Sequence, residues 1–151
     1  MSIKIIKAKK KHAGEIIRLI NELADFEKLD PPDDDARKRL IKDAFGKNPL
    51  IHILLAKDEE SFVGYAIYFF SYSSFLAKKT LYLEDIFISE SRRRSGIGMF
   101  FFKKLENIAK KKNCGRMEWC VLDWNLKAIA FYENIGARQL NNWIYYRKVM
   151  D

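Results

Sequence analysis

The alternation of hydrophobic and polar positions predicts three elements in the first third of the chain. Ile3 to Lys7 has the pattern of a short strand. Ala13 to Lys28 repeats apolar residues at helical spacing, with charged residues opposite, and predicts an amphipathic helix. Pro31 and Pro32 cannot continue a helix, so a loop follows. A short helix from about Ala36 to Phe45 comes next, ended by Gly46.

The middle of the chain has the pattern of a hairpin followed by a third strand. Ile51 to Lys57 and Phe62 to Tyr72 predict two strands joined by a short turn. The second is apolar on both faces, which indicates a strand covered on both sides of a sheet. Thr80 to Ser89 predicts the next strand, and it carries two adjacent acids, Glu84 and Asp85.

The last third alternates helices and strands. The predicted elements are a helix from Gly96 to Asn113 stopped by Gly115, a strand from Arg116 to Leu122, a helix from Leu126 to Ile135, and a strand from Trp143 to Met150. Asn125 is a credible N-cap, and Gly136 suits a helix end. The order β-α-α-β-β-β-α-β-α-β predicts a mixed α/β sheet in one domain, 1–151. The strands Leu81–Ser89 and Arg116–Leu122 should be parallel neighbours.

Composition narrows the class of protein. The 151 residues are 48% hydrophobic and 14% aromatic, which favours a folded domain over disorder. The net charge of +8 suits solubility alone, or anionic partners: nucleic acid, a membrane surface or a phosphate-bearing small molecule. Cys114 and Cys120 form no C-x-x-C motif, so a reduced, cytoplasmic protein is expected. No secretory signal or membrane span is expected. His12 and His52 lack metal-like partners, so no metal is expected.

The two acids of the third strand are the first candidate site. Acids inside an apolar strand are costly unless they have a use. Glu84 should lie among Tyr82, Ile86 and Ile88, where burial would raise its pKa and make it a base for an amine. A structural ion pair with a nearby lysine or arginine is the alternative.

The second candidate site is the basic turn that follows. Gly96-Ile97-Gly98 is not a dinucleotide-binding fingerprint, because Phe101 stands where a glycine or alanine is needed, and no Gly-Lys-Ser/Thr follows it. What remains is a glycine-containing turn, preceded by Arg92 to Arg94, that opens a helix. Its backbone N–H groups and the helix dipole suit a pyrophosphate, whereas a solvated basic helix start is the alternative.

These motifs resemble a known family. The segment Arg93 to Gly98 fits the signature Arg/Gln-x-x-Gly-x-Gly/Ala of the GNAT N-acetyltransferase superfamily, in its strand–turn–helix place. Several further segments resemble the diamine acetyltransferases, which comprise spermidine/spermine and thialysine acetyltransferases: Glu22–Leu29, Gly64–Phe69, Leu81–Ile86, Val121–Asn125, Phe131–Tyr132 and Ile135–Ala137. The resemblance covers nearly the whole chain, and the residues of the matching segments are closer to the thialysine branch.

The resemblance implies a GNAT fold and direct acetyl transfer from acetyl-CoA to a primary amine. Tyr132 is implied to protonate the departing CoA thiolate, and Glu84 to take the amine proton, directly or through water. The implied acetyl-CoA contacts are Ile86, Phe87, Ile88, Arg93, Arg94, Ser95, Gly96, Ile97, Gly98, Met99, Asn125, Leu126, Lys127 and Ala128. The implied amine channel is lined by Phe26, Glu27, Glu84, Asp85, Glu118, Trp119 and Cys120. A homodimer is implied as well, with no metal, nucleic acid or membrane partner.

Departures from the family keep the substrate open. Relatives acting on polyamines have an acid where this chain has Ser73 and a tryptophan where it has Phe75. The missing carboxylate weakens the case for long polycations. Arg94 stands where relatives often have glycine, at a position for which the signature specifies no residue. One alternative is a GNAT enzyme acting on protein N-termini or lysines. A nucleic-acid-binding module is a distant one, since it leaves the acids of the strand unexplained.

Overall fold

The computed structural model describes residues 2–151 and contains one mixed sheet with the strand order β1-β2-β3-β4-β5. The strands are β1 (Ile3–Lys7), β2 (His52–Asp58), β3 (Ser61–Ser73), β4 (Lys78–Ile88) and β5 (Arg116–Trp119). The α-helices are α1 (Ala13–Glu27), α2 (Asp34–Phe45), α3 (Ile97–Lys111) and α4 (Leu126–Asn134). Strands β1 to β4 are antiparallel neighbours, and β5 pairs in parallel with β4. The predicted mixed sheet and its parallel pair are confirmed.

Backbone contacts divide the chain into two compact units. The first ends at Trp119 and holds all five strands with α1, α2 and α3, and the second runs from Cys120 to Asp151 and holds α4. The candidate residues therefore fall into two groups, and each group is described within its own unit. In the described range 2–151, no helix combines the length and apolar character needed to cross a membrane.

The central strand β3 is covered on both faces, as its pattern predicts. Tyr65 and Ile67 lie on one face, in a cluster with Ile16 and Leu19 of α1. On the other face the ring of Phe101 comes so close that a Cβ at Gly64 would lie 3.3 Å from it. Only glycine fits there, because the same Cβ would be 2.7 Å from the Phe87 carbonyl oxygen.

Helix α3 starts and buries its face as predicted, but it ends differently. Its buried residues are Ile97, Phe101, Phe102, Leu105 and Ala109. Asn113, not Gly115, takes the left-handed conformation at the end, with φ of 56°. Its N–H donates to the Lys110 carbonyl, and the Cys114 N–H donates to the Ala109 carbonyl, which is the Schellman pattern.

The predicted last strand, Trp143 to Met150, is wrong. Residues 137–151 contain no strand, and their large apolar side chains are exposed, with Trp143 at 72% and Tyr146 at 87%. An alternating pattern marks strand preference, but a strand also needs a neighbouring edge to bind its backbone groups. The unit from Cys120 to Asp151 provides no paired strand. Strand β5 is also shorter than predicted and ends at Trp119.

Candidate active site

A β-bulge in β4 shapes the acid-bearing part of the strand. Ile67 lies opposite Asp85, but the next residue, Tyr68, lies opposite Leu83. Glu84 is thus an extra residue on β4, and the side-chain alternation shifts by one position there. Asp85 consequently shares the face of β3 residue Ile67, which packs against α1. A bulge changes the direction in which side chains leave a strand, and this one changes it for Glu84 and Asp85.

Beyond the bulge, β4 loses its β5 neighbour. The parallel pairing runs from Thr80 to Leu83 of β4 and stops. The Ser89 N–H donates to the Val63 carbonyl at 2.9 Å. Because the backbone groups of every second residue point the same way, those of Phe87 and Asp85 also face β3. The N–H and C=O groups of Ile86 and the N–H of Ile88 therefore face the side that β5 has left, whereas the Ile88 carbonyl on that side accepts a hydrogen bond from Arg93 Nε.

Asp85 has a fixed partner on the α1 face. The Tyr65 hydroxyl donates to its Oδ2 at 3.0 Å. Burial raises the pKa of Asp85 to about 6, and the charges of Glu84 and Glu27 act in the same direction, whereas the Tyr65 hydrogen bond opposes them. Burial likewise raises the pKa of Glu27. Three carboxylates thus converge where α1 ends beside β4.

The prediction of a buried Glu84 is wrong. Its side chain is exposed, because the bulge takes it out of the regular alternation with Ile86 and Ile88. The acid whose pKa burial raises is its neighbour Asp85. Glu84 instead lies at the point where β4 and β5 part, next to the free backbone edge of the strand.

The turn after β4 presents backbone groups. Arg94 and Gly96 have positive φ values of 64° and 83° on either side of Ser95. Residues of alternating hand turn their successive N–H groups toward one concave side, and such nests bind anions. Helix α3 begins at Ile97, and the first N–H groups of a helix have no acceptor within it. The left-handed φ of Arg94 explains why glycine is favoured at this position. An arginine in this conformation costs about 1 kcal/mol in backbone strain.

The arginines of this turn differ in their use. Arg92 forms an ion pair with Asp58 at the end of β2. Arg93 donates from Nε to the Ile88 carbonyl at 3.0 Å, and its guanidinium lies 4.4 Å from the centre of the Phe26 ring. Arg94 is exposed. The side chains of Arg92 and Arg93 thus bind the protein itself, and the acetyl-CoA contacts expected of Arg93 and Arg94 stay predictions.

Two predicted substrate residues lie on β5, beside the first half of β4. Glu118 lies opposite Tyr82 and is paired with Arg116, Oε1 to Nε at 3.1 Å. Trp119 stacks edge-on against Phe102 of α3, with ring centres 5.1 Å apart. Both thus border the place where the two strands separate, rather than the α1 end where Glu27 and Asp85 lie.

The unit from Cys120 to Asp151 holds the remaining candidates. Asn125 caps α4: its side chain accepts from the Ala128 N–H at 3.3 Å, which confirms the predicted N-cap. Leu126, Lys127 and Ala128 form the first turn of this helix. Tyr132 lies two turns into α4, its ring 5.9 Å from that of Phe131. Cys120 is exposed at the start of the unit.

Within the unit that ends at Trp119, the structure brings several predicted residues together. Phe26 and Glu27, at the end of α1, meet Arg93 of the turn and Asp85 of β4. Sequence reasoning missed Tyr65, which is fully buried and binds Asp85. A signal was present, because a tyrosine on a fully covered strand needs a partner for its hydroxyl.

Known proteins resemble the chain over most of its length. The model of the acetyltransferase (GNAT) family matches residues 16–137. A thialysine N-epsilon-acetyltransferase from Sus scrofa is 38% identical over 147 residues, which cover 92% of this chain and 86% of that protein.

Solved structures agree with the fold. An integron cassette protein from the mobile metagenome of V. cholerae has a TM-score of 0.84 and 26% identity, covering 100% of this chain and 94% of its own. AAC(6')-Iy, in complex with a CoA-based bisubstrate analogue, has a TM-score of 0.82 at 18% identity over 99% and 100% of the two chains. The family match and the relative at 38% identity place the chain among the GNAT acetyltransferases, and it is an N-acetyltransferase.

Proposed function

We propose that the protein transfers an acetyl group from acetyl-CoA directly to a primary amine of a small diamine, polyamine or thialysine-like substrate. One observation carries this proposal: the acid pair Glu84 and Asp85 and a turn of nest geometry lie on consecutive segments of one strand–turn–helix unit. An anionic donor and a cationic acceptor both find complementary groups there. A cytoplasmic location, with Cys114 and Cys120 as free thiols, accompanies this proposal.

The donor side fits the residues present. The nest from Arg94 to Gly96 and the first amides of α3 supply N–H groups for a pyrophosphate. The backbone groups of Ile86 and the N–H of Ile88 supply hydrogen bonds for the pantetheine chain and the carbonyl oxygen. Residues Asn125 to Ala128, at the start of α4, offer a second helix N-terminus for the donor. Acetyl-CoA, when bound, supplies the acetyl group as a thioester.

The acceptor side requires removal of a proton. A primary ammonium with a pKa of about 10 has no lone pair, so it must lose a proton before it attacks. Glu84, exposed at the bulge, takes that proton directly or through water in this proposal. Asp85 and Glu27 hold the positive charge of the substrate, and Glu118 and Trp119 line its path. Tyr132 protonates the departing thiolate.

The substrate is expected to be short. Ser73, which stands where the polyamine enzymes have an acid, is buried, and its Oγ accepts from the Leu76 N–H at 3.2 Å to close the turn after β3. The position thus supports the backbone and offers no negative charge to a remote ammonium. This favours thialysine-like amines over spermine.

The test is release of CoA from acetyl-CoA across a panel of thialysine, lysine, putrescine, spermidine and spermine. We expect the highest kcat/KM for thialysine, and Tyr132→Phe should lower kcat about 100-fold, as expected for loss of a general acid. Strong spermine activity would contradict the interpretation of Ser73. An unchanged kcat in Tyr132→Phe would remove Tyr132 from the mechanism.

A homodimer is also part of the proposal. The segment 137–151 exposes Trp143, Ile144, Tyr146 and Val149, each more than 70% accessible. Large exposed apolar side chains of this kind support an interface with a second copy of the chain. Light scattering of the purified protein should give twice the mass of one chain, and a monomer at micromolar concentration would contradict this.

A further inference from the structure

A buried tyrosine lies behind the acid cluster without belonging to any predicted set. Tyr65 of β3 is opposite Phe87 of β4, and its hydroxyl reaches diagonally to Asp85, two positions back along β4. Diagonal neighbours on one face of an antiparallel pair are within reach of an aromatic side chain. The β4 bulge makes the contact possible, because it brings Asp85 onto the face of Tyr65.

This hydrogen bond has a fixed direction. Tyr65 has no accessible surface, and burial together with the neighbouring Asp85 raises the pKa of its hydroxyl, so the hydroxyl stays protonated and donates. Among residues 2–151, no lysine or arginine forms an ion pair with Asp85. The Asp85 carboxylate is thus held by a neutral donor and keeps its charge for another cation.

We propose that Tyr65 is a positioning residue, whose hydroxyl holds the Asp85 carboxylate as the contact for the cationic amine; this rests on the proposed function. The charged and titratable groups around Asp85 come from four elements. Glu84 of β4 and Glu27 of α1 oppose its ionisation, and the Tyr65 hydroxyl of β3 favours it. The cation contributed by the turn is Arg93, whose guanidinium lies over the rings of Phe26 and Phe87.

Removal of the hydroxyl has a defined consequence. Tyr65→Phe keeps the ring in the core but takes away the one group that lowers the pKa of Asp85. A hydrogen bond to a charged group corresponds to a shift of about 1 to 2 pH units. Asp85 should then titrate between about pH 7 and pH 8, instead of near 6.

The direct test is a carbon-13 NMR titration of the aspartate carboxyl groups, with the Asp85 signal assigned by its loss in Asp85→Asn. Tyr68→Phe is the matched control, because Tyr68 is a buried tyrosine of the same strand on the opposite face, packed against His52. We expect Tyr65→Phe to move the Asp85 midpoint upward by about 1 to 2 units and Tyr68→Phe to leave it in place.

Kinetics give a second readout that a purely structural role does not produce. At pH 7, Tyr65→Phe should raise the KM for the amine about 2- to 10-fold relative to the native enzyme, with kcat little changed. At pH 9, where Asp85 is ionised in both proteins, this ratio should return close to one. Tyr68→Phe should show no such pH-dependent ratio.

The two readouts separate the proposals. An Asp85 midpoint that stays in place or falls in Tyr65→Phe overturns the role of Tyr65, whatever the enzyme acetylates. A midpoint that rises while the amine KM ratio is flat with pH overturns the role of Asp85 as the amine contact. Absence of acetyl transfer to every amine tested refutes the proposed function and leaves the NMR result valid.

Discussion

The end of strand β4 and the turn that follows it contribute to the site in opposite ways. In the strand, the functional groups include the Asp85 side chain, held by Tyr65. In the turn, the side chains of Arg92 and Arg93 bind Asp58 and Ile88 of the protein itself. The N–H groups of the turn and the side chain of Arg94 remain for a ligand. In the proposed function, two adjacent segments therefore bind their ligands differently, the first through a carboxylate and the second through its backbone.

The difference follows from what each ligand requires. A small ammonium needs a localised negative charge, and a carboxylate kept in a partly buried place provides it at a cost in stability. A pyrophosphate has many oxygens and is matched by several converging N–H groups. Arginines are not needed as direct contacts for it, and here two of them fix the shape of the turn and its junction with the Phe26 end of α1.

The largest expected effect is on the stability of the fold, which the partly buried carboxylate of Asp85 lowers when it is charged. The pKa of Asp85 is about 6 in the folded protein, against 3.8 as its ordinary value, so the folded state binds the proton more tightly. Stability from this group is present at low pH and is lost as pH rises through about 6. Asp85→Asn should therefore be more stable than the native protein by about 3 kcal/mol at pH 8 and nearly equal at pH 4.

Denaturant unfolding at the two pH values measures this difference. Glu84→Gln is the matched control, because Glu84 is the exposed neighbour of Asp85 on the same strand. Its stability should change by less than about 0.5 kcal/mol at either pH. A gain in Asp85→Asn that is equal at pH 4 and pH 8 would show that packing, not ionisation, is responsible. The charged carboxylate of Asp85 would then carry no cost in stability.

The sequence predicts the fold well wherever the signal is local. The apolar stripe of α3, the hairpin of β2 and β3, and the cap at Asn125 depend on residues close in sequence, and all are confirmed. The segment 143–150 has a strand pattern, but a strand forms only beside a free edge, and no local pattern contains that information.

The sequence identifies the residues proposed for the site but not their surroundings. The acids and the glycine-containing turn are visible in the sequence, because they interrupt apolar and helical patterns. Which of the two acids is exposed and which is partly buried depends on one extra residue in the pairing of β3 with β4. The partners of Arg92 and Tyr65 are distant in sequence, so neither contact has a local signal.

A smaller effect is expected on acetyl-CoA binding when the backbone of the turn is changed. Gly96 has φ of 83°, and a Cβ there meets nothing within 4 Å, so Gly96→Val changes the backbone preference without a steric clash. A β-branched residue in this conformation costs about 1 to 3 kcal/mol, which the loop relieves by leaving the nest geometry. The KM for acetyl-CoA should rise about 10-fold, while the KM for the amine stays nearly constant.

Two variants show whether the backbone is responsible. Gly136→Val places the same side chain at another glycine with positive φ and open space, at the end of α4, and should change the KM for acetyl-CoA less than about 3-fold. Arg92→Gln removes a guanidinium already engaged by Asp58, so it should lower stability by up to about 1 kcal/mol and leave that KM nearly unchanged. If Arg92→Gln instead matches Gly96→Val, the arginine side chain binds the donor. The contrast between strand and turn then disappears, because both segments would bind their ligands through charged side chains.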